Sequence, residues 1–196
     1  MYHIKPDKRC GKSCALIYQA LIALIAEKPF DSITITDIQE KSTVGRATFY
    51  RNFDNIIDVL IMKSDEECRQ MAEGYLKMPG FGNRNKDEEF GIVVYFFRYW
   101  QHNTEIVETL LKINRIDILY NSLIGIYESL ADTIFPEVDT GSDDYKYLVA
   151  MKASIGIGFL TRWISEGKTK TIEDLLKILH NGFQTASKYL LNNIYP

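Results

Sequence analysis

Between Gly45 and Phe53 the chain reads G-R-A-T-F-Y-R-N-F, which sets Arg46, Thr48, Tyr50, Arg51 and Asn52 almost side by side. Guanidinium forks, hydroxyls and a carboxamide are the groups that hydrogen-bond phosphate oxygens and base edges of duplex DNA. Chemistry of a catalytic kind has no comparable cluster. His102 and His180 are far apart in sequence, and no nucleophile elbow, phosphate loop or metal-binding helix motif is present. The expected activity is therefore binding, with no enzyme, cofactor or metal implied.

Two short helices must position those groups. Thr34 with Asp37 three residues later has the spacing of a capping box and starts the first. The chain then turns back at Ser42-Thr43-Val44-Gly45, with Val44 packing inward and Gly45 at the cap of the second helix. That helix, Arg46 to Asn52, is about 10 Å long at about 1.5 Å per residue, and a B-form major groove about 12 Å wide accepts it. Phe49 and Phe53, four residues apart, face inward. Arg46 and Tyr50 share another face, and Thr48, Arg51 and Asn52 are placed outward with them. Ahead of this pair, Cys14, Tyr18, Leu21, Ile22 and Ile25 recur at helical steps between Lys8 and Lys28, a brace that completes a three-helix unit.

Helix, turn, helix and the Y-R-N-F ending together resemble the TetR (AcrR-type) family of bacterial transcription regulators. The resemblance rests on motifs in roughly the first sixty residues and, beyond them, on length and helical layout. It implies an all-α fold with a helix-turn-helix DNA-binding domain at 1–54 and a ligand-binding and dimerisation domain at 55–196. It further implies a homodimer on a double-stranded operator, most often a repressor released by a small-molecule effector. The DNA-facing set carried over is Thr34, Thr36, Gly45, Arg46, Ala47, Thr48, Tyr50, Arg51 and Asn52. In the family pattern a Lys-Glu pair opens the next helix, the Lys touching a phosphate, whereas this chain has Ile56 and Ile57; Gly45 also lacks a serine hydroxyl. Those departures motivate an alternative, a co-regulator of the same fold that binds DNA weakly and acts through a protein partner.

Charge is divided in a compatible way. The formal net charge is −3, yet residues 1–53 carry 8 Lys and Arg against 5 Asp and Glu, and residues 54–196 carry 15 against 21. An electropositive end on an acidic body turns the reading helix toward phosphates. Lys5, Lys8, Arg9 and Lys12 form either a basic arm reaching DNA or a solvated terminus. The opening M-Y-H-I-K-P-D-K-R has no apolar signal core, and no run of about eighteen apolar residues occurs, so a cytoplasmic protein without a membrane span is expected. Cys10, Cys14 and Cys68 read as reduced thiols. Cys10 and Cys14, one helical turn apart, are either a redox or half-metal pair or plain helix positions, with His3 in a frayed tail.

The rest reads as helices: one from about Asn55 to Lys77, a loop at Met78 to Asn85, three stretches broken near Asn103–Thr104 and Asn114–Arg115, a loop at Phe135 to Ser142, and two long final helices. About nine helices result, and no stretch alternates with period two long enough for a sheet. Gly91 to Trp100 is apolar all round except at Arg98, which either faces an anionic ligand or pairs on the surface. Tyr95, Phe96, Tyr99 and Trp100, with Tyr120, Tyr127, Phe159 and Trp163, either wall a cavity for an apolar or aromatic ligand or simply fill the core. In the last two helices, Ile155, Phe159, Leu160, Ile164, Leu175, Leu179 and Phe183 are assigned to core and dimer interface on the family resemblance.

Overall fold

The computed structural model describes residues 1–3, 8–78, 88–134 and 139–194. Among them the regular structure is helical: α1 (Lys8–Glu27), α2 (Ile35–Ser42), α3 (Arg46–Asn52), α4 (Ile57–Leu76), α5 (Glu88–His102), α6 (Glu105–Lys112), α7 (Asp117–Ser129), a single turn α8 (Ala131–Ile134), α9 (Asp143–Ser165) and α10 (Ile172–Ile194). Nine of these are longer than one turn, as the apolar spacing required. Lys5 of the expected basic arm, Pro79 to Asn85 of the first loop and Phe135 to Val138 of the second fall outside the described residues.

Caps mark the boundaries. The Thr34 hydroxyl accepts from the Asp37 N–H and the Asp37 carboxylate accepts from the Thr34 N–H, so both expected bonds of the capping box form at α2. Thr171 and Asp174 make the same exchange at α10. Ser142 caps α9 by accepting from the Tyr145 N–H at 3.2 Å. At α4 the reciprocal pair is Asn55 with Asp58: Asn55 Oδ1 accepts from the Asp58 N–H, and Asp58 Oδ2 accepts from the N–H groups of Asn55 and Asp54.

One buried cluster runs from Cys14 in α1 to Leu175 in α10, so the proposed two domains share a continuous core. Residues Cys10–Glu27 are long and apolar enough to cross a membrane by composition alone. Here the apolar face of α1, with Cys14, Ile17, Tyr18, Leu21, Leu24 and Ile25, is covered by protein. Gly74 of α4 lies under the Tyr95 hydroxyl of α5, so a side chain at 74 would require the Tyr95 ring to shift. Gly156 meets the Phe96 ring at ordinary contact distance, whereas Gly158 has open space above it. Close packing inside the chain therefore demands glycine at neither position, and Gly158 lies on an exposed surface.

Phe49 and Phe53 are 1% and 0% exposed, with ring centroids 5.6 Å apart. Both point inward from α3 as their spacing demanded. Replacing Phe53 by Ala should cost roughly 3–5 kcal/mol of stability, measured by urea denaturation, because a fully buried ring leaves a cavity that its neighbours fill only in part. A melting curve unchanged from wild type would mean that the ring is not an anchor.

Candidate nucleic-acid interface

Helix α3 is seven residues long, too short to persist alone, and is held from beneath by Phe49 and Phe53 and at each end by polar contacts. At its start, Ser42 ends α2 and its buried Oγ accepts from the Val44 N–H, while Thr43 adopts a left-handed conformation with φ 59° that reverses the chain. Val44 is buried, as expected. What remains outward is Gly45, Arg46, Ala47, Tyr50 and Arg51, all exposed, with Thr48 half-buried. Arg46 lies over the Tyr50 ring, its guanidinium carbon 5.6 Å from the centroid, so the two share the expected face. On the neighbouring α2, Thr34 and Thr36 are exposed as well.

Asn52 departs from the expected outward placement. It is 3% exposed; its Nδ2 donates to the Thr48 carbonyl at 2.8 Å and its Oδ1 accepts from the Cys10 thiol at 2.8 Å. The reason is rotational: 52 lies beside 49 and 53 around the helix, on the side that α1 covers. Asn52 thus secures the helix and presents nothing to DNA.

His3 is likewise not frayed. Its N–H donates to the Asn52 carbonyl at 2.8 Å, its ring shares a hydrogen bond with Asp54 at 3.0 Å, and Tyr2 forms an antiparallel bridge with Phe53. The Tyr2 hydroxyl donates to Asp65 Oδ2 at 2.7 Å, and the other oxygen of Asp65 accepts from Ser122 of α7 at 2.6 Å. Burial and the nearby Asp65 carboxylate push the Tyr2 phenol up to about 12. A chain of contacts therefore leads from the end of α3 through Tyr2 and Asp65 to α7. A second link joins α1 to α6, where Tyr18 donates to Glu105 at 2.8 Å. A third joins α4 to α5, where Glu67 accepts from Tyr99 at 2.6 Å and pairs with Lys63 at 2.8 Å. Of these, only the Asn55-x-x-Asp58 cap has a signature in sequence. Tyr2–Asp65, Asp65–Ser122 and Tyr18–Glu105 span 57 to 87 residues, and no local pattern announces them.

Ile56 and Ile57, which occupy the family's Lys-Glu positions, are half-buried and packed against the core. An expected lysine-to-phosphate contact is thus exchanged for apolar packing beneath α3. Lys8 and Arg9 begin α1. Cys10 and Cys14 belong to no group of metal-ligating residues among those described.

The aromatic set distributes unevenly. Phe96, Trp100 and Trp163 are buried and Tyr95, Tyr99, Tyr120, Tyr127 and Phe159 half-buried. Phe96 and Tyr99 both pack on Trp100, at 6.4 and 5.4 Å between centroids. Trp163 lies edge-on to Phe97, and its Nε1 donates to the Lys170 carbonyl at 2.9 Å. Trp163 and Phe159 also line a groove of about 490 Å³ along α9 and α10. Phe96 and Tyr99 thus gather around Trp100, whereas Phe159 and Trp163 lie beside that outer groove and Tyr95 packs on Tyr75. Arg98 is exposed. Among the described residues, Trp100 Nε1 and Ser64 Oγ are buried without a hydrogen-bond partner.

Lys28 pairs with Asp37 at 2.7 Å, and this contact with the Thr34 hydrogen bonds holds the Asp37 carboxyl down at about 2. A carboxylate lowered on folding contributes stability above its unfolded value of about 4 and loses it as pH falls through the folded value. Acid unfolding followed by circular dichroism should therefore show an Asp37→Asn variant losing less stability than wild type between about pH 4 and pH 2. Parallel curves across that window would remove Asp37 from the acid response.

A family model for TetR-type proteins, described as "Transcriptional regulator C-terminal region", matches residues 87–185. Three solved structures share the fold. Lin0861 from Listeria innocua is 21% identical with a TM-score of 0.77, covering 93% of this chain and 95% of that one. The fatty acid degradation regulator FadR from Bacillus halodurans is 20% identical with a TM-score of 0.53, covering 90% and 95%. A TetR transcriptional regulator from Streptococcus agalactiae is 24% identical with a TM-score of 0.51, covering 87% and 93%. No curated protein matches the sequence.

Proposed function

The chain belongs to the TetR family of transcription regulators, and from that premise we propose that it is a homodimeric, effector-responsive DNA-binding repressor acting in the cytoplasm and carrying out no catalysis. In this reading residues 1–54 are the reading head and 55–196 the effector and dimer body. The observation that carries it is the row of exposed Arg46, Tyr50 and Arg51 on a short helix whose opposite side is fully anchored. Arg46 and Thr48 read base edges; Tyr50, Arg51 and Thr36 hold phosphates; Thr34, Gly45 and Ala47 lie along the contact edge. Asn52 serves by fixing the helix.

The effector reading draws support from two buried donors of the body without partners, the Ser64 hydroxyl of α4 and the Trp100 indole N–H, the latter packed against Phe96 and Tyr99. An unpaired buried donor costs about 1–3 kcal/mol. An apolar or aromatic molecule with a hydrogen-bond acceptor suits such surroundings, and its binding would pull on α4, which bears both Ser64 and the links to the reading head. The co-regulator reading keeps one observation in its favour, the packing of Ile56 and Ile57 into the core in place of a phosphate contact.

The dimer reading draws on the outer face of α9 and α10. Tyr147, Met151, Ser154, Gly158 and Arg162 recur along one exposed stripe of α9, and Ile178, Phe183 and Tyr189 are exposed on α10. Leu160, Ile164 and Leu175, of the set expected in core and interface, lie in the core of the chain. Light scattering should give about twice the 22.6 kDa chain mass; a monomer at micromolar concentration would end the two-half-site picture, in which the heads sit about 34–36 Å apart or a multiple of that.

Binding of the purified protein to fragmented host DNA would yield the operator, and a gel shift on the recovered site would test the contacts. Arg46→Ala should lose about 1–3 kcal/mol of affinity with relaxed sequence preference. Arg51→Ala and Tyr50→Ala should weaken all sites, the former reducing the slope of log affinity against log salt by about 0.9 per protomer. Enrichment of no fragment, with weak binding indifferent to sequence, would favour the co-regulator.

A further inference from the structure

Two thiols at the start of α1 meet the end of the recognition helix, and neither DNA contact nor effector binding uses them. Cys10 and Cys14 stand one turn apart on the same face of α1. Cys10 in turn donates to Asn52 Oδ1 at 2.8 Å, while Asn52 Nδ2 donates to the Thr48 carbonyl at 2.8 Å. The Cys10 thiol, the Asn52 carboxamide and the helix backbone thus form one line from α1 into α3. Cys10 is half-buried and reachable, and Cys14 is 3% exposed directly behind it.

We propose that Cys10 and Cys14 form an oxidisable dithiol that couples α3, and with it DNA binding, to low-molecular-weight disulfides. The proposal rests on the DNA-binding reading above for its consequence, not for its chemistry. Cys10 gives its proton to solvent, and its sulfur attacks the reagent disulfide, expelling one reagent thiolate and leaving a mixed disulfide. Cys14 then loses its proton, attacks the Cys10 sulfur and expels the second thiolate. Two protein thiols are oxidised by two electrons, and one reagent disulfide is reduced to two thiols. Cys10 occupies the third position of a 20-residue helix, among Lys8, Arg9 and Lys12 in sequence.

The product cannot leave the helix as it is. Cβ atoms four residues apart on a regular helix lie about 5–6 Å from each other, whereas a disulfide holds them at about 3.5–4.5 Å. Closing the bond therefore requires the first turn of α1 to draw in. At the same time Asn52 Oδ1, buried in the interface, loses its donor. Both changes loosen the end of α3 that carries Arg51 and borders Phe53. Cys68, 0% exposed within α4, is shielded from the same reagents and serves as an internal control.

The reduced full chain treated with oxidised glutathione should lose about 2 Da, the two hydrogens of the closing pair, with peptide mapping placing the bond between Cys10 and Cys14 and leaving Cys68 free. Amide exchange within residues 46–52 should accelerate at least several-fold, and the gel shift should weaken about tenfold or more, both restored by dithiothreitol. Cys14→Ser should halt at a glutathione adduct on Cys10. Cys10→Ser keeps a donor for Asn52, so it should bind DNA as the reduced wild type does and ignore the oxidant. A native protein in which Cys10 resists oxidation, or in which the bond forms while exchange across 46–52 stays unchanged, overturns the proposal. If the reduced protein binds no operator at all, the DNA-binding reading fails by that result, and the regulatory role of the dithiol falls with it; mapping and exchange still decide the disulfide and its effect on α3.

Discussion

A helix of seven residues has no stability of its own in water, and the exposed row of Arg46, Tyr50 and Arg51 rides on one. Nucleating a helix fixes several residues for a single hydrogen bond, and about a dozen or more residues are needed before propagation recovers that cost. Helix α3 exists because Phe49 and Phe53, 1% and 0% exposed, replace the missing length with burial. Orientation follows from the same contacts. With two aromatic anchors one turn apart, rotation of the helix would expose a ring, so Arg46, Tyr50 and Arg51 are held outward by what lies beneath them.

The polar groups around that anchor do different work. Asn52 and Asp58 are nearly as buried as the phenylalanines and hydrogen-bond to neighbouring backbone and side chains. Asp58 gathers the N–H groups of the turn between α3 and α4, so the reading helix enters the long helix with a defined angle. Asp65 and Glu67, two and three turns further along α4, accept from hydroxyls on the N-terminal segment, α7 and α5. Carboxylates seated in partly buried positions and accepting from neutral hydroxyls make short, directional bonds that fail abruptly when a partner moves. Helix α4 is thereby connected to both the reading head and the body.

The body has another character. Its aromatic residues pack edge to face around Trp100 and Trp163, and its outer helices leave apolar side chains uncovered on α9 and α10. An interior so filled shifts between packed arrangements when something is inserted into it, because close-packed side chains deform little. The unpaired Trp100 and Ser64 groups mark where such an interior has hydrogen-bonding capacity to spare.

How much of this could be read beforehand depends on the distance over which each interaction acts. Capping boxes at Thr34 and Thr171, the bounds of α3, the inward turn of Phe49 and Phe53, the breaks at 103–104 and 113–116 and the all-helical fold follow from neighbours within one or two turns, and the sequence by itself determined them. Asn52 shows the limit within a single helix. Its type suits DNA and its position adjoins Arg51, yet α1 covers that side, the Cys10 thiol takes the carboxamide oxygen and the Thr48 carbonyl of α3 itself takes the nitrogen. Ile56, the tethered His3 and the separation of the aromatic set were decided in the same way, by helices distant in sequence that arrive only when the core condenses. Periodicity tells which residues share a face; only packing tells which element covers it, because burial and partner choice are properties of three-dimensional neighbours that the order of residues along the chain does not contain.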